Sequence, residues 1–460
     1  MRTTQRPDET TYEAVAADGT RLRARLIPRP APSPDRLLGH VQPGDRPFAL
    51  VSGRGDPSLT RWSYGALEAC SPHLDFITAF DATRGHLGVR SLPDDWPPFT
   101  GGAVGYLSYD EGWRWAARPR PPRPQPLGLP PERFHRYDAL YARNERTGSG
   151  LVIWEARPDA ARRARRIEQA LLRPERRLRG QLVGGASKLH PRVDRASHEA
   201  RISSALRLIA EGEIYQVNLT YALEGRFRGH PGAALQRLVQ DGAPPFSAYL
   251  GVDDEAHVVS ASPECFLELN ADGRLRTFPI KGTHRRAPAP DRDVALAAAL
   301  RADPKERAEH LMIVDLLRND LGRVARPGTV EVPSLAYVES FPTVHHLTTT
   351  IEADLDPMRT GAEVLAATFP GGSITGAPKQ AAMEVIDALE DEARGLYTGA
   401  LAWIDRGGAL RASIAIRTAE VHQGALRFGV GGGIVADSVP AREWEETRLK
   451  AQALAGALAG

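Results

Sequence analysis

The sequence predicts an α+β fold rather than a parallel α/β fold. Short strand-like runs recur through its second half and are separated by Gly, Asp or Asn, as in meanders of antiparallel strands. Long helical patterns lie between and after these runs, without the strict alternation of strand and helix that a parallel sheet needs. The 460 residues, of which 42% are hydrophobic and 25% charged, supply enough apolar surface for a large core.

Three features organise the chain before residue 197. Proline alternates with arginine at 118–126, which favours an extended loop. Ile167, Leu171 and Leu172 recur at helical spacing within 159–178 and predict an amphipathic surface helix that ends near Pro174. Residues 184–195 have the glycine-containing, polar composition of a linker. We therefore predict an N-terminal region at 1–184, a linker at 185–196 and a second region at 197–460.

The second region mixes strands with helices. Ser197 is predicted to cap a helix whose apolar face is formed by Ile202, Leu206 and Ile209. Strand-like runs occupy 248–252, 257–260, 266–269, 401–404, 412–416 and 426–430. Helical patterns occupy 305–324, 377–389 and 441–454.

Charge and cysteine content exclude several classes of protein. The 59 Lys and Arg residues nearly balance 57 Asp and Glu residues, and the net charge of +2 favours neither nucleic acid nor an anionic membrane as a partner. No apolar run approaches the ~18 residues that would cross a bilayer. Cys70 and Cys265 provide neither a disulfide framework nor a zinc-ligand spacing. Residues 1–11 lack the apolar segment of a secretory signal, so we expect a cytoplasmic protein.

Lysine is rare in this chain, since only five of the 59 cationic side chains are lysines. An arginine is effectively never deprotonated, whereas a lysine amine in a desolvated site becomes a nucleophile. Lys281 follows a strand-like run and precedes Gly-Thr, which makes it a candidate nucleophile; the alternative is a solvated surface cation. Glu264 and His346 are candidate acid–base groups, with a turn carboxylate and a structural histidine as the alternatives.

Two predicted helices each carry glutamates three residues apart. Glu306 and Glu309 share one helix face, and Glu443 and Glu446 share another. If the two helices lie side by side, four carboxylates converge, and such an oxygen cluster suits Mg²⁺. The alternative is an ordinary solvated helix face, because basic residues lie alongside the glutamates.

Two glycine clusters, 370–379 and 429–433, are candidate anion-binding segments. Each lets backbone N–H groups approach an anion, and the first runs into a predicted helix. The alternative is that the glycines only make tight turns.

Together these motifs resemble the chorismate-utilising enzymes, a family that includes anthranilate synthase component I, isochorismate and salicylate synthases, and aminodeoxychorismate synthase component I. The matching strings lie at 212–219, 262–264, 281–283, 309–320, 376–379, 413–419, 433–438 and 443–447, with looser agreement at 48–53 and 101–110. The family resemblance makes 1–184 an anthranilate synthase component I-like region and 197–460 the chorismate-binding catalytic region.

The resemblance implies a fold of two large antiparallel sheets in a sandwich, with helices outside and both halves of the chain contributing. It also implies a Mg²⁺ ion held by Glu309 and Glu446, with Glu306 and Glu443 adjacent. The residues that it places against chorismate are Tyr397, Arg417, Gly432 and Gly433 at its carboxylates and Thr375 and Lys450 along the pocket.

Two positions select a reaction within the family. Relatives that add water carry a lysine base at the position of Gln216, and an amide is a far weaker base. Anthranilate synthases carry alanine at position 281, whereas Pro-Ile-Lys-Gly-Thr is the pattern of aminodeoxychorismate synthases. The resemblance therefore implies conversion of chorismate and ammonia to 4-amino-4-deoxychorismate, for p-aminobenzoate and folate synthesis. It implies a covalent Lys281 intermediate, with Glu264 as the acid and His346 and Thr283 as polar contacts.

The source of ammonia is expected to be another protein. Neither Cys70 nor Cys265 lies in a Gly-x-Cys-x-Gly elbow, so the resemblance implies a separate glutamine amidotransferase subunit. An anthranilate synthase-like activity and p-aminobenzoate production for specialised metabolism stay open as alternatives. A non-catalytic chorismate-binding subunit would be expected to lose Lys281 or the glutamates, and all of them are present. His284 departs from the family, whose members commonly place arginine after Gly-Thr.

A second group of residues resembles the tryptophan pocket of the family, remote from the active site. Short apolar and serine-containing strings are equally expected of core strands and turns. The residues concerned are Ser52, Leu59, Thr60, Arg61, Trp62, Pro245, Phe246 and Ser247.

Overall fold

A computed structural model describes residues 11–53, 59–89, 92–93, 95–173, 185–341 and 344–459. Its helices are α1 (Phe76–Asp81), α2 (Pro158–Leu172), α3 (Arg195–Ala210), α4 (Gly232–Gln240), α5 (Pro290–Ala302), α6 (Pro304–Gly322), α7 (Gly361–Thr368), α8 (Lys379–Leu389) and α9 (Pro440–Ala459). Its strands are β1 (Thr11–Val15), β2 (Arg21–Ile27), β3 (Phe48–Val51), β4 (Trp62–Ala66), β5 (Ser71–Leu74), β6 (Gly102–Leu107), β7 (Glu132–Tyr137), β8 (Ala139–Asn144), β9 (Gly150–Glu155), β10 (His190–Pro191), β11 (Gln216–Arg226), β12 (Phe246–Gly251), β13 (Ala256–Ser262), β14 (Cys265–Leu269), β15 (Arg274–Thr277), β16 (Ile280–Arg285), β17 (Glu331–Ser340), β18 (Val344–Asp354), β19 (Gly376–Ala377), β20 (Ala400–Asp405), β21 (Leu410–Ile414), β22 (Thr418–His422) and β23 (Ala425–Ile434).

These strands form two large antiparallel sheets. The first sheet has the order β1-β2-β9-β8-β4-β3-β12-β13-β22-β23-β11-β10, and β19 also pairs with β11. The second has the order β16-β18-β15-β14-β21-β20-β6-β7-β5, and β17 also pairs with β18. The predicted α+β class and its two sheets are confirmed.

Both halves of the chain contribute strands to both sheets. In the first sheet β3 pairs with β12, so that Phe48 lies opposite Leu250. In the second sheet β6 pairs with β20, and Gly105 lies opposite Ala402. Within the predicted linker, β10 pairs with β11 at the edge of the first sheet.

Aromatic side chains fill the space between the two sheets. Tyr64 of β4 and Trp403 of β20 meet with their ring centroids 6.1 Å apart. The buried ring of Phe99 lies 5.5 Å from Tyr64 and 5.3 Å from Trp403. Because large apolar rings from both sheets bury one another here, this contact stabilises the sandwich through the hydrophobic effect.

The helices begin where the sequence offers a cap. Asp303 accepts backbone N–H groups at the start of α6, and Pro304 takes the first helical position. The prediction that Ser197 caps α3 is wrong, because Asp194 accepts the N–H of Ser197 and the helix begins at Arg195. Asp and Ser cap helices about equally well, so residue type alone does not distinguish these two positions. The amphipathic helix predicted over 159–178 is α2, and residues 174–184 lie outside the described part.

Three elements surround the edge of the first sheet at which the glycine clusters lie. The start of β11 pairs with the end of β23, so that Asn218 lies opposite Gly433. Helix α9 packs on β23, and α6 packs on β16 and β18 of the second sheet.

No described helix combines the length and the apolar character that crossing a membrane would need.

Candidate active site

The described part of the chain brings Lys281, Gln216 and Gly433 together. A Cβ atom placed on Gly433 would lie 3.2 Å from Lys281 Nζ and 3.2 Å from Gln216 Nε2. Gln216 is fully buried, and neither of its amide atoms has a hydrogen-bond partner among the described residues. An unpaired buried amide costs free energy, so a polar ligand here would relieve a deficit that the protein itself leaves open.

Lys281 lies on β16 beside an irregularity in the strand. The register with β18 shifts between Lys281 and Thr283, and Gly282 adopts a φ of +68°. This φ is unfavourable for residues other than glycine, and a Cβ atom on Gly282 would also lie 2.9 Å from Glu306 Oε2, so that the glutamate side chain would have to move.

The amine of Lys281 makes no hydrogen bond or ion pair with any residue that the structure describes. Desolvation lowers its pKa, while the negative charge of Glu309 opposes that shift and the positive charge of Lys450 reinforces it. A lowered pKa raises the fraction of neutral amine, which is the nucleophilic form.

Glu264 lies in the turn between β13 and β14 and is 8% exposed. Its Oε1 accepts a hydrogen bond of 2.7 Å from Ser373 Oγ. Burial raises the pKa of Glu264 to about 7, although Ser373 and the charges of Lys281 and Arg417 act in the opposite direction. A carboxyl group with this pKa is protonated often enough near neutrality to act as an acid.

His346 is held in its neutral form. It lies on β18 opposite Thr283, and its Nδ1 lies 3.3 Å from the carbonyl oxygen of Gly282. Burial lowers the pKa of His346 to about 4, so the ring is uncharged near neutrality. The backbone of Thr283 is placed by the same strand pair, whereas its side chain lies outside the described part.

Arg417 supplies the positive charge on one side of the site, and Tyr397 lies near it. Among the described residues, the Arg417 guanidinium has no hydrogen-bond or ion-pair partner, and desolvation lowers its pKa. Tyr397 packs so closely on Gly429 that a Cβ there would lie 2.0 Å from Tyr397 Cδ1. Arg417 and Thr398 have φ values of +49° and +63°, which cost energy for residues other than glycine and are typical of functional sites.

Thr375 and Lys450 already have partners within the protein. Thr375 is fully buried, and its hydroxyl donates to the carbonyl of Gly371 at 2.9 Å. Lys450 is more exposed, and its Nζ lies 2.7 Å from Glu446 Oε1 and 3.3 Å from the carbonyl oxygen of Gly431. Both residues lie beside the glycine segments of the site.

The paired glutamates of α6 and α9 influence one another. Burial raises the pKa of Glu443, and the like charges of Glu446 and Glu309 raise it further. Burial also raises the pKa of Glu309. The positive charge of Lys281 lowers this pKa, and the negative charge of Glu306 raises it. The carboxylates of the two helices therefore share one electrostatic environment, and their donor chemistry suits a hard divalent cation. In the described part of the chain, however, no three acidic, histidine or cysteine side chains stand close enough to hold a metal ion as they are placed.

Comparison with known proteins agrees with this geometry. A family model described as chorismate binding enzyme matches residues 62–456. Aminodeoxychorismate synthase component 1 of Klebsiella aerogenes is 38% identical over 374 residues, which cover 81% of this chain and 80% of that protein. Anthranilate synthase component 1 of Streptomyces coelicolor is 38% identical over 429 residues, covering 90% of this chain and 83% of that protein.

The chain belongs to the chorismate-binding enzyme family. The crystal structure of anthranilate synthase component I from Streptococcus pneumoniae agrees in fold, with a TM-score of 0.75 and 26% identity over 86% of this chain and 92% of that one. The menaquinone-specific isochorismate synthase of Escherichia coli has a TM-score of 0.74 at 20% identity, covering 97% of this chain and 96% of that one. This second likeness concerns the fold alone.

The sequence does not predict the contacts of two polar side chains, those of Ser373 and His310. Ser373 lies in a glycine-rich string, and nothing in that string indicates that its hydroxyl reaches Glu264. His310 is fully buried on α6, and its Nε2 lies 2.6 Å from Thr349 Oγ1. Its position directly after Glu309 was the available signal.

A separate cavity lies between the sheets near β4 and β12. Five of the residues that resemble a tryptophan pocket line it, together with Trp403 and Arg411; they are Ser52, Trp62, Pro245, Phe246 and Ser247. Leu59 lies in a neighbouring apolar cavity, while Thr60 and Arg61 are not among the lining residues of either. The arrangement is compatible with an apolar ligand that carries a polar group.

Proposed function

We propose that this protein converts chorismate and ammonia to 4-amino-4-deoxychorismate. The observation that carries the proposal is the unpaired amine of Lys281, close to Gly433 and Gln216 and under the electrostatic influence of Glu264. Holding a desolvated amine without a partner destabilises the folded protein. Nucleophilic catalysis requires an amine in this state, which accounts for its presence here. Lysine at this position with glutamine at 216 favours amination over hydration.

The reaction begins with the neutral amine of Lys281 attacking ring carbon C2. As the C2–N bond forms, the two ring double bonds shift from C1=C2 and C5=C6 to C1=C6 and C4=C5 and the C4–O bond breaks, while Glu264 gives its proton to the departing oxygen, which leaves as water. The adduct nitrogen then loses a proton. Ammonia attacks C4, the two double bonds shift back and the C2–N bond breaks. Lys281 and the new amino group reach neutrality by proton transfers that include Glu264. The sum is chorismate plus ammonia giving the amino product plus water, with the enolpyruvyl group retained.

Substrate binding is assigned to the opposite charges of the site. Arg417 and the hydroxyl of Tyr397 hold one carboxylate, and the backbone N–H groups of Gly432 and Gly433 contribute to carboxylate binding. A guanidinium without a protein partner is available for such a bidentate contact. Neutral His346 lines the same side and contributes no competing charge.

Glu309 and Glu446 are the proposed ligands of a Mg²⁺ ion, with Glu306 and Glu443 beside them. The ion would neutralise the second substrate carboxylate and the repulsion among the glutamates. Lys450 now neutralises Glu446, so metal binding would have to compete with this ion pair. The protein itself contributes Glu309 from α6 and Glu446 from α9, whose negative charges both act on Glu443.

Ammonia is proposed to come from a separate glutamine amidotransferase subunit. The related proteins of Klebsiella aerogenes and Salmonella typhimurium are named as component 1 of aminodeoxychorismate synthase. Cys70 and Cys265, the two cysteines of this chain, lie in no nucleophile elbow, and burial raises the pKa of both thiols. The product would serve p-aminobenzoate and folate synthesis, or a specialised pathway that uses the same precursor.

A second candidate function is that of anthranilate synthase component I. The observation that favours it is the similarity to the Streptomyces coelicolor anthranilate synthase component 1. That protein is 38% identical, as is the Klebsiella aerogenes protein, but over 90% rather than 81% of this chain. The two reactions differ in the ring carbon that receives nitrogen and in the loss of pyruvate. Incubation of the purified protein with chorismate, Mg²⁺ and ammonium chloride, followed by mass spectrometry, separates them. Release of pyruvate with a fluorescent aromatic product would contradict the amination proposed first.

A further inference from the structure

Ser373 makes the one hydrogen bond that the Glu264 carboxyl group receives from the described part of the chain. The charged groups that face Glu264 are Lys281 of β16 and Arg417 between β21 and β22, and neither is hydrogen-bonded to it. Buried Cys265 follows Glu264 in the chain, and burial keeps its thiol protonated by raising its pKa. Ser373 is therefore the neighbour that can orient the carboxyl group.

The position of Ser373 is fixed by its surroundings. It lies in a single helical turn, Gly372–Ile374, that is pressed against α6. A Cβ atom on Gly372 would lie 2.5 Å from Leu316 Cδ2, so the turn approaches α6 as closely as a glycine allows. The next residue, Thr375, ties the turn down through its hydrogen bond to Gly371. The serine hydroxyl thus meets Glu264 at a site that packing determines.

We propose that Ser373 is a positioning residue that makes Glu264 a stronger acid in the first half of the reaction. Its hydroxyl fixes one carboxyl oxygen, which leaves the other to give its proton to the C4 oxygen of the substrate. When that proton leaves, the C4–O bond breaks, water departs, and Glu264 becomes a carboxylate that accepts the Ser373 hydrogen bond. The bond is strongest to this charged form, so it favours proton donation. The inference rests on the function proposed above.

The direction of the effect follows from the sign of the interaction. Burial raises the pKa of Glu264, and the Ser373 bond lowers it. Loss of the hydroxyl therefore raises the pKa further and makes the acid weaker. The enzyme would then turn over more slowly, yet Glu264 would stay protonated to a higher pH.

The experiment compares two serines that both touch Glu264. Ser373 contacts the carboxyl group, whereas fully buried Ser262 contacts only its backbone, with Oγ 3.3 Å from the nitrogen and 3.5 Å from the carbonyl oxygen. Ser373→Ala is expected to lower kcat about tenfold to a hundredfold and to move the alkaline limb of the kcat–pH profile upward by about one unit. Ser373→Thr, which keeps the hydroxyl, is expected to restore both, and Ser262→Ala to leave the alkaline limb where it is.

A second readout does not depend on activity. Infrared difference spectra, with Glu264→Gln as the reference, report the titration of the Glu264 carboxyl group in each variant. An equal shift in Ser373→Ala and Ser262→Ala, or no shift in Ser373→Ala, would overturn the proposal while leaving the function intact. If the wild type makes no aminodeoxychorismate from chorismate and ammonium chloride, the proposed function fails, and the infrared titration still decides whether Ser373 governs Glu264.

Discussion

Lys281 and Lys379 are two of the five lysines, and both amines have their pKa lowered by desolvation. Lys379 donates to Asp320 at 2.6 Å and to the carbonyl of Thr368 at 3.1 Å. Lys281 has no such partner within the described residues, although Glu309 and Glu264 influence it from a distance. Lys379 thus links α8 to α6 through an ion pair. Lys281, by contrast, has an amine without a hydrogen-bond or ion-pair partner among the described residues.

This difference shows that desolvation alone does not make a lysine amine a nucleophile. A buried cation with a hydrogen-bonded carboxylate is a structural unit that is costly to break. A desolvated amine without a partner destabilises the folded state, and such sites persist where function requires them. The contrast gives the two lysines opposite expected responses to substitution.

The largest effect is expected from Lys281→Arg. The guanidinium keeps the charge but stays protonated, so it cannot attack C2, and amination should fall below one-thousandth of the wild-type rate. Intact-protein mass spectrometry after incubation with chorismate, without ammonia, should show an adduct of chorismate minus water on the wild type only, mapped to the peptide with Lys281. Lys281→Ala should also lack the adduct, though slow direct attack by ammonia remains open to it. An arginine variant that works at the wild-type rate would end the covalent mechanism.

The glutamates near Lys281 should matter almost as much. Glu309→Gln and Glu446→Gln each replace a charged oxygen ligand by a neutral one, and we expect activity to fall at least a hundredfold with loss of the Mg²⁺ response. Calorimetric titration with MgCl₂ measures the metal affinity directly. The control is Glu445→Gln, on the same helix in an exposed ion pair with Arg195. Undiminished activity of the first two variants in a chelator would contradict the metal assignment.

Stability should separate the lysines in opposite directions. Lys379→Met leaves the Asp320 carboxylate without its partner, and we expect a loss of about 3–5 kcal/mol in the free energy of unfolding. Lys281→Met removes a desolvated amine, and we expect a gain of about 1 kcal/mol. Urea unfolding followed by circular dichroism measures both. Equal losses for the two variants would show that Lys281 is a structural cation after all.

The pH dependence should differ in the same comparison. The folded-state pKa of Lys281 is below its unfolded value of 10.5, so the unfolded state binds more protons in the interval between them. Stability from this group therefore increases as pH rises through that interval. The gain from Lys281→Met should accordingly be greater at pH 7 than at pH 10, as measured by urea unfolding at both values. A gain independent of pH would mean that the amine keeps its ordinary pKa.

The smallest effect is expected at the cavity that contains Trp62, far from either lysine in the chain. If it binds L-tryptophan, calorimetry should show a heat that disappears in Ser52→Trp, a variant that fills the cavity. Ser52 donates to the carbonyl of Trp62 at 2.7 Å, so a melting curve must confirm that this variant folds. Absence of heat with the wild type would dispose of the tryptophan site.

The sequence predicted most of the fold and the identity of the charged residues. Strand patterns and helix caps are local signals, and α6, α8 and α9 begin within three residues of their predicted starts. The glutamates of α6 and α9 were found because their spacing of three places them on one helix face. The tertiary proximity of those helices came from the family resemblance rather than from the pattern.

The remainder depended on contacts between distant residues. Lys281 and Lys379 look alike in the sequence, because a carboxylate 59 residues away decides that one is paired. Ser373 reaches Glu264 across 109 residues. No periodicity encodes such pairs, since each depends on how strands and turns are packed in three dimensions.

The interleaving of both halves in both sheets has a consequence for synthesis on the ribosome. About 200 residues are synthesised between strand β3 and its partner β12, and about 300 between β6 and β20. At about 5–20 residues per second, the earlier strand is without its partner for about ten seconds to a minute. During that time the nascent chain carries unpaired strand edges, a known route to aggregation. Slow translation without chaperones should therefore lower the yield of this protein more than that of one whose neighbouring strands are made in succession.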